Sequence, residues 1–433
     1  MNARRVLASL AVVILVASIL ISVGVFASDG RQPEPAHPGV PAPALEAAYR
    51  VAQADPSATE EARIRAAVDT YFILKFESRV RGNALELGSV IDLASVSGKR
   101  LHDYELGRLQ FCLRSWQLCG LAFGAYNYRP VYDSIEVHGR SATVVVHPWV
   151  DLTYADVPDQ PDVCGGEPHR IALAHLADGW KIVSEDYEDE FALAYPRSSD
   201  FALLEDRLPE ELEALKQRWT ELDRTYREDP RSRHRYDSGS PVEILGYRTY
   251  GRSSAASYGL TYTDNSGGGS TTYYNKLFVA YASDCQNFVS QCIWFGFGGQ
   301  NNSTAINNHY LPMVYSISGA TSWWADKTTS EAHWYNVGKF KEMVEANWNS
   351  DKVGVQAHEG ALADVWHGDF VVHADLSHVY IVVRINDLDG DGVTDYNEIY
   401  VSSHTNNRKD YRLASLISIA AVRFMYVERF KNP

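Results

Sequence analysis

The sequence predicts an α+β fold, on three observations. Helix-period segments come first. Four strand-like runs joined by tight turns follow, as in an antiparallel meander. A further helix start and a pair of short apolar runs occupy the last third. The chain has 433 residues, enough for two to four domains. Hydrophobic residues make up 45% and charged residues 22%, an ordinary globular balance that excludes wholesale disorder, collagen and a coiled-coil rod. The formal net charge is -15, the wrong sign for a chain that grips nucleic acid, so no nucleic-acid partner is expected.

The elements follow in order. Met1–Arg5 is basic, and Val6–Ala27 is uncharged and apolar. Two readings of residues 1–27 fit. One is a signal anchor that holds the chain to a membrane. The other is a signal peptide cleaved after Val25-Phe26-Ala27. Both place the rest of the chain outside the cell, either free or membrane-anchored. Residues 28–56 read as a Pro-rich linker, with Pro33, Pro35, Pro38, Pro41 and Pro43 favouring an extended spacer.

Residues 57–198 read as one α+β domain. Ser57 and Glu60 have capping-box spacing, and Ile64, Val68, Tyr71 and Leu74 recur at helical intervals. A second helix is expected over Asp103–Leu121. Strands are expected over Val131–Val137, Ala142–Tyr154, His169–Leu176 and Trp180–Ser184. On pattern alone this small helix-plus-antiparallel-sheet domain resembles the nuclear-transport-factor-like or cystatin-like kind. The acidic run from Glu185 to Glu190 reads as a solvated edge. Residues 199–240 read as a linker helix over Pro209–Asp229, with Pro209 in its first turn and Leu212, Leu215, Trp219, Leu222 and Tyr226 as its apolar stripe.

The cysteines are Cys112, Cys119, Cys164, Cys285 and Cys292. An odd count in an exported chain leaves at least one free thiol. Two cysteines seven apart on one helix are separated by roughly 10 Å, too far to bridge. The expected bond therefore joins Cys164 to Cys112 or Cys119, and Cys285 is the expected free thiol.

Candidate chemistry lies in residues 241–433. In DCQNFVSQC, Asp284–Cys292, a helix is expected to begin at Cys285, where the positive end of the dipole favours a thiolate. In GDFVVHADLSHVYIVV, His378 opens the second of two strand-like runs and is the candidate general base. A zinc site from His367, His373 and His378 lacks a recognisable ligand spacing.

Taken with further blocks in order, residues 252–413 resemble the bacterial putative amidase domain, a papain-like cysteine hydrolase related to CHAP-type cell-wall amidases. The blocks are SSAASYGLTY at 253–262, DCQNFVSQC, SWW at 322–324, HWYNVGKF at 333–340, the His378 hairpin, and IYVSSHTNNRKDYRL at 399–413. The resemblance implies a papain-like C-terminal domain with Cys285 as nucleophile and His378 as base. It implies His404 or Asn406 as the third, orienting group. The backbone N–H of Cys285, with Asp284 or Asn287, is expected to serve the oxyanion. Trp323, Trp324, Trp334 and Tyr335 fit either a cleft wall or core filling, with core preferred.

One segment departs from that pattern. DLDGDGVTDYNE, Asp387–Glu398, places Asp387, Asp389, Asp391, Asp395 and Glu398 at positions 1, 3, 5, 9 and 12 of a calcium loop, with Gly392 at 6 and the Val393 carbonyl at 7. A structural Ca2+ is the expected ligand, and no organic cofactor is expected. The predicted function is an exported cysteine hydrolase that cleaves amide bonds, with peptidoglycan or another peptide amide as substrate. The competing readings are a membrane-tethered, catalytically silent scaffold and a transferase using the same Cys-His pair.

Overall fold

The computed structural model describes residues 42–158, 162–164, 167–187, 189–228, 243–244, 246–266 and 271–433. The expected signal segment at 1–27 lies outside them. Among the described residues no helix is long and apolar enough to cross a membrane. The chain divides into two compact units, Met1–Gln110 with Ala122–Tyr187, and Phe111–Leu121 with Glu188–Pro433. Both are mixed helix-and-sheet units with antiparallel sheets.

The first unit opens with α1, Ala42–Ala54, inside the stretch expected to be linker. Leu45, Ala48 and Tyr49 form its buried stripe at helical spacing, and the Tyr49 hydroxyl donates to the Trp180 carbonyl at 2.6 Å. The Pro-rich composition hid this stripe. Helix α2, Glu60–Arg81, is capped by Thr59, whose side chain accepts from Ala62 N–H, and not by Ser57. Helix α3, Val96–Leu118, starts seven residues before the expected Asp103. The sheet consists of β1 Phe123–His138, β2 Ser141–Tyr154, β3 Asp162–Cys164, β4 His169–Leu176 and β5 Gly179–Asp186, in the order β1-β2-β4-β5 with β3 also on β2. Burial in β2 alternates residue by residue, the period-2 signal that made this strand legible. Glu185 corrects the solvated-edge reading. It is buried, accepting from the Tyr71 hydroxyl and pairing with His169, both at 2.7 Å.

In the second unit the long helix α4 spans Phe201–Glu228, so Pro209 lies inside it rather than in its first turn. Trp219 rests against Phe424 with ring centroids 6.0 Å apart, and Arg218 pairs with Glu359. The side chain of Tyr226 lies outside the described residues. Strands β6 Glu243–Ile244 and β7 Tyr247–Thr249 lead to α5, Arg252–Thr261, and α6, Cys285–Gly296. Helix α7, Val337–Ser350, then precedes β8 Gly354–Gly360, β9 Phe370–His373, β10 Val379–Ile385, β11 Ile399–Ser403, β12 Arg408–Arg412 and β13 Val422–Lys431. The sheet order is β12-β11-β10-β9-β13-β7-β6, with β8 also pairing β13.

One face of this sheet builds the core. Phe370, Val372, Val379, Ile381, Met425 and Val427 alternate inward against Phe288, Val289, Cys292 and Ile293 of α6. A Cβ on Gly259 would meet Ile381 Cγ2 at 3.0 Å, so glycine lets α5 approach β10 closely. The start of α5 is tied down by a buried ion pair, Arg252 to Asp369 at 2.6 Å, with the guanidinium also donating to the Val427 carbonyl. Cys119, Cys285 and Cys292 are free thiols. The side chain of Cys164, and with it the expected disulfide, lies outside the described residues.

Candidate active site

Cys285 is the first residue of α6, and a dense hydrogen-bonded corner fixes that start. Phe288 N–H donates to the Asp284 carbonyl at 2.9 Å, the first helical bond. The Asp284 carboxylate accepts from Tyr281 N–H at 2.8 Å and from Asn287 Nδ2 at 2.7 Å. Its second oxygen meets His404 Nδ1 at 2.7 Å. The backbone N–H of Asp284 donates to Thr405 Oγ1 at 2.7 Å. Asn287 Nδ2 also donates to the Val279 carbonyl, and Trp334 Nε1 donates to Asn287 Oδ1. Asp284 and Asn287 therefore correct the oxyanion assignment. A carboxylate has no hydrogen to give, and both hydrogens of the Asn287 amide are engaged. The backbone N–H groups of Gln286, Val379 and Cys285 itself lie near enough to the sulfur to act on its pKa.

Cys285 is 3% exposed. Burial pushes its pKa up to about 11, and the Asp284 charge adds to the rise. The three backbone N–H groups pull the other way and do not win. Burial thus acts against the resting thiolate that the helix start favours.

The Val379 backbone lowers the Cys285 pKa, and His378 immediately precedes it in sequence. The His378 ring is buried on the sheet face it shares with His373 and Tyr380. Burial holds it well below the usual histidine range, and the charges of His373 and Arg408 act in the same direction. Its Nε2 is buried with no hydrogen-bond partner. No hydrogen bond joins its ring to Cys285 in this resting arrangement. Catalytic hydrogen bonds in ligand-free sites often tighten only on substrate binding.

His373 carries a pH prediction. Burial lowers its pKa from 6.5 to about 4, although the Asp375 charge opposes the shift. Its folded pKa lies below the unfolded value, so the unfolded chain binds the extra proton in acid. Stability is then complete above pH 6.5 and falls as the pH drops towards 4, by up to about 3 kcal/mol. Denaturant titrations at pH 7 and pH 4.5 measure this. His373→Gln, which cannot titrate, should reduce the difference and leave the part that buried His378 contributes.

His404 does not reach His378. Its Nδ1 meets Asp284 and its Nε2 meets the Tyr262 carbonyl at 2.7 Å. The ring lies between Tyr274, at 3.5 Å and 1° between planes, and Phe288, at 3.9 Å and 21°. These partners tie it to Asp284 at the start of α6, and neither of them is His378. Asn406 sits in a turn at φ 62°, after Thr405 at φ 57°, and its side chain makes no hydrogen bond among the described residues. Ser403 was not foreseen. The pairing of Ile381 with Ser402 sets Ser403 across from Tyr380, on the strand face that His378 uses. Its Oγ is buried and unpartnered, like His378 Nε2. No motif marks it, and only the strand register reveals it. Trp323 and Trp334 are fully buried core, Trp324 is half-buried, and Tyr335 is exposed.

The acidic loop forms the hairpin between β10 and β11. Asp387, Asp389 and Asp391 bring carboxylate oxygens within 4.8 Å of one another. Asp395 lies beside them, with its pKa raised by burial and by the charges of Asp389 and Asp391. Glu398 is not among the three clustered carboxylates. Its oxygens accept from Leu388 N–H at 2.5 Å and Asp395 N–H at 2.9 Å. Gly392 N–H binds back to Asp387, and Val393 N–H to Asp391.

Residues 249–427 match the putative amidase domain family. The match supports a hydrolase acting on amide bonds. No curated protein matches the chain.

Proposed function

We propose that the C-terminal unit is a papain-like cysteine hydrolase, exported, that cleaves amide bonds in cell-wall peptidoglycan. The observation that carries this reading is Cys285 as the first residue of α6, with the backbone of Val379, the residue after His378, near enough to lower the thiol's pKa. Both groups rest neutral, so the chemistry is general-base catalysis. The sulfur attacks the amide carbon while its proton passes to the His378 ring. The N–H groups of Cys285 and Gln286 receive the oxyanion. His378 then gives its proton to the leaving amine and a thioester remains. Water, deprotonated by His378, attacks the thioester, releases the acid and restores the thiol.

The raised Cys285 pKa favours a second reading, a catalytically silent scaffold tethered to a membrane. Digesting purified peptidoglycan with the full chain separates the two. New amino and carboxyl termini in equal number support the hydrolase, and unchanged peptidoglycan supports the scaffold. Amine acceptors that become linked to the new acyl group would identify a transferase instead.

The Asp387, Asp389, Asp391 and Asp395 cluster is the proposed seat of a structural Ca2+, with the Val393 carbonyl as a further ligand. Three ionised carboxylates this close repel unless a cation lies between them. At millimolar calcium and an extracellular-type affinity the ion contributes about 0.4–1.4 kcal/mol. Excess chelator should lower the melting temperature by about 1–5 °C. Asp389→Asn should show the lower value without chelator. An unchanged melting temperature in both cases refutes the site.

A further inference from the structure

A second pairing of a nucleophile with a base lies at the start of α5. Ser253 Oγ is 3.2 Å from His367 Nε2, within reach of proton transfer. Ser253 is the second residue of α5 and is exposed, while His367 is half-buried. The turn that carries His367 is fastened on both sides of it. Trp366 N–H donates to Asp369 Oδ2 at 3.0 Å, and Gly368 N–H donates to the Val382 carbonyl at 2.7 Å. The Tyr250 hydroxyl donates to the Gly368 carbonyl at 2.7 Å. The buried Arg252–Asp369 pair ties the residue before Ser253 to the same turn. Gly368 has φ 85°, and a Cβ there would meet Arg252 Cα at 2.9 Å, so glycine lets the turn press on the helix start. The imidazole is therefore held beside the hydroxyl by buried groups, not by a flexible loop.

Two further features surround the pair. The bond from Ala255 N–H to the Gly251 carbonyl, at 3.1 Å, is the first of the helix, so the N–H groups of Ser253 and Ser254 have no acceptor inside it. They are placed to receive an oxyanion formed at Ser253. Trp366 is 49% exposed with its ring 5.5 Å from the His367 ring, an apolar face beside the pair. This place is distinct from the cysteine corner. Gly251 N–H donates to the Gly296 carbonyl at 2.8 Å, so α5 starts where α6 ends, about 16 Å along that helix from Cys285. We propose that Ser253 and His367 are a second hydrolytic pair, which takes the acyl group of a small carboxylic ester onto Ser253 Oγ. Ser253 Oγ bonds to the acyl carbon while its proton passes to His367 Nε2. The ester C–O bond then breaks, and His367 returns the proton to the departing alcohol. Water, deprotonated by His367, frees the acid and restores the serine. An exposed serine suits an ester because an alkoxide leaves more readily than an amine.

The test uses the full chain carrying Cys285→Ala and 4-nitrophenyl acetate as probe. Nitrophenolate release is followed, and the acetyl group is mapped by mass spectrometry. Acetylation of Ser253 is expected. Adding Ser253→Ala should remove that adduct and, at an exposed position, leave the melting temperature unchanged. Adding His367→Gln should slow acetylation of Ser253 by about 10^2-fold, the range of a positioned base. The glutamine keeps a polar group in the turn, and an unchanged melting temperature separates a lost base from a disturbed helix start. Two results overturn the inference. One is acetyl groups found only at other residues or at none. The other is acetylation of Ser253 at the same rate with and without His367. The thiol is absent throughout, so neither result bears on the cysteine-hydrolase reading, and failure of that reading leaves this pair untouched.

Discussion

Cys285→Ala is expected to reduce amide hydrolysis by about 10^3-fold or more while leaving the melting temperature within a few degrees. The sulfur is a small buried group at a helix start. Removing it takes away the nucleophile and little packing. His378→Ala should cost about 10^2–10^4-fold, the usual range for a positioned base. The pH profile is the sharper reading. With the thiol near 11 and the imidazole held well below 6.5, both partners stay neutral from pH 6.5 to 9, and the rate should be flat there. The acid limb should lie well under 6.5, where His378 gains a proton. Iodoacetamide should label Cys285 slowly at pH 8, because a thiol near 11 is only about one part in 10^3 thiolate there. Rapid labelling below pH 8 that His378→Ala abolishes would establish a resting thiolate–imidazolium pair and overturn the neutral mechanism.

What could be read from the sequence follows the range of each interaction. Strand β4, expected over His169–Leu176, has those bounds, and α6 begins at Cys285 as expected. Both rest on local periodicity and a local turn. Helix α1 was missed because five prolines dominated the window, although Leu45, Ala48 and Tyr49 carried the stripe. Pro209 was read as a first-turn residue, yet the helix had already started at Phe201. The site divides in the same way. Cys285 and His378 stand in local motifs. The partner of Asp284 is His404, 120 residues away, and Ser403 is set opposite Tyr380 by register alone. Composition and spacing carry no record of such pairings. The calcium-loop pattern located the three aspartates but not Glu398, because two nearby backbone N–H groups hold that carboxylate.

His404→Ala is expected to be the most destabilising single change at the site. Both ring nitrogens lie 2.7 Å from oxygens, of Asp284 and of the Tyr262 carbonyl, and Tyr274 and Phe288 cover the two ring faces. Removing it strands the Asp284 carboxylate without one of its three donors, inside a corner where that group is 1% exposed. Breaking a buried pair in this way costs about 3–5 kcal/mol, and the emptied slot between Tyr274 and Phe288 adds to it. The melting temperature should fall by about 6–20 °C. Asp284→Asn with His404→Gln restores a neutral hydrogen-bonded pair, so the double variant should be more stable than the sum of its single changes predicts. The alternative role, orienting His378, predicts a different signature: a fall in kcat with an unchanged melting temperature. The two outcomes differ because Asp284, at the N-cap position of the helix that carries the sulfur, is held by Tyr281, Asn287 and His404. A group that holds the nucleophile's helix start is felt in folding before it is felt in proton transfer.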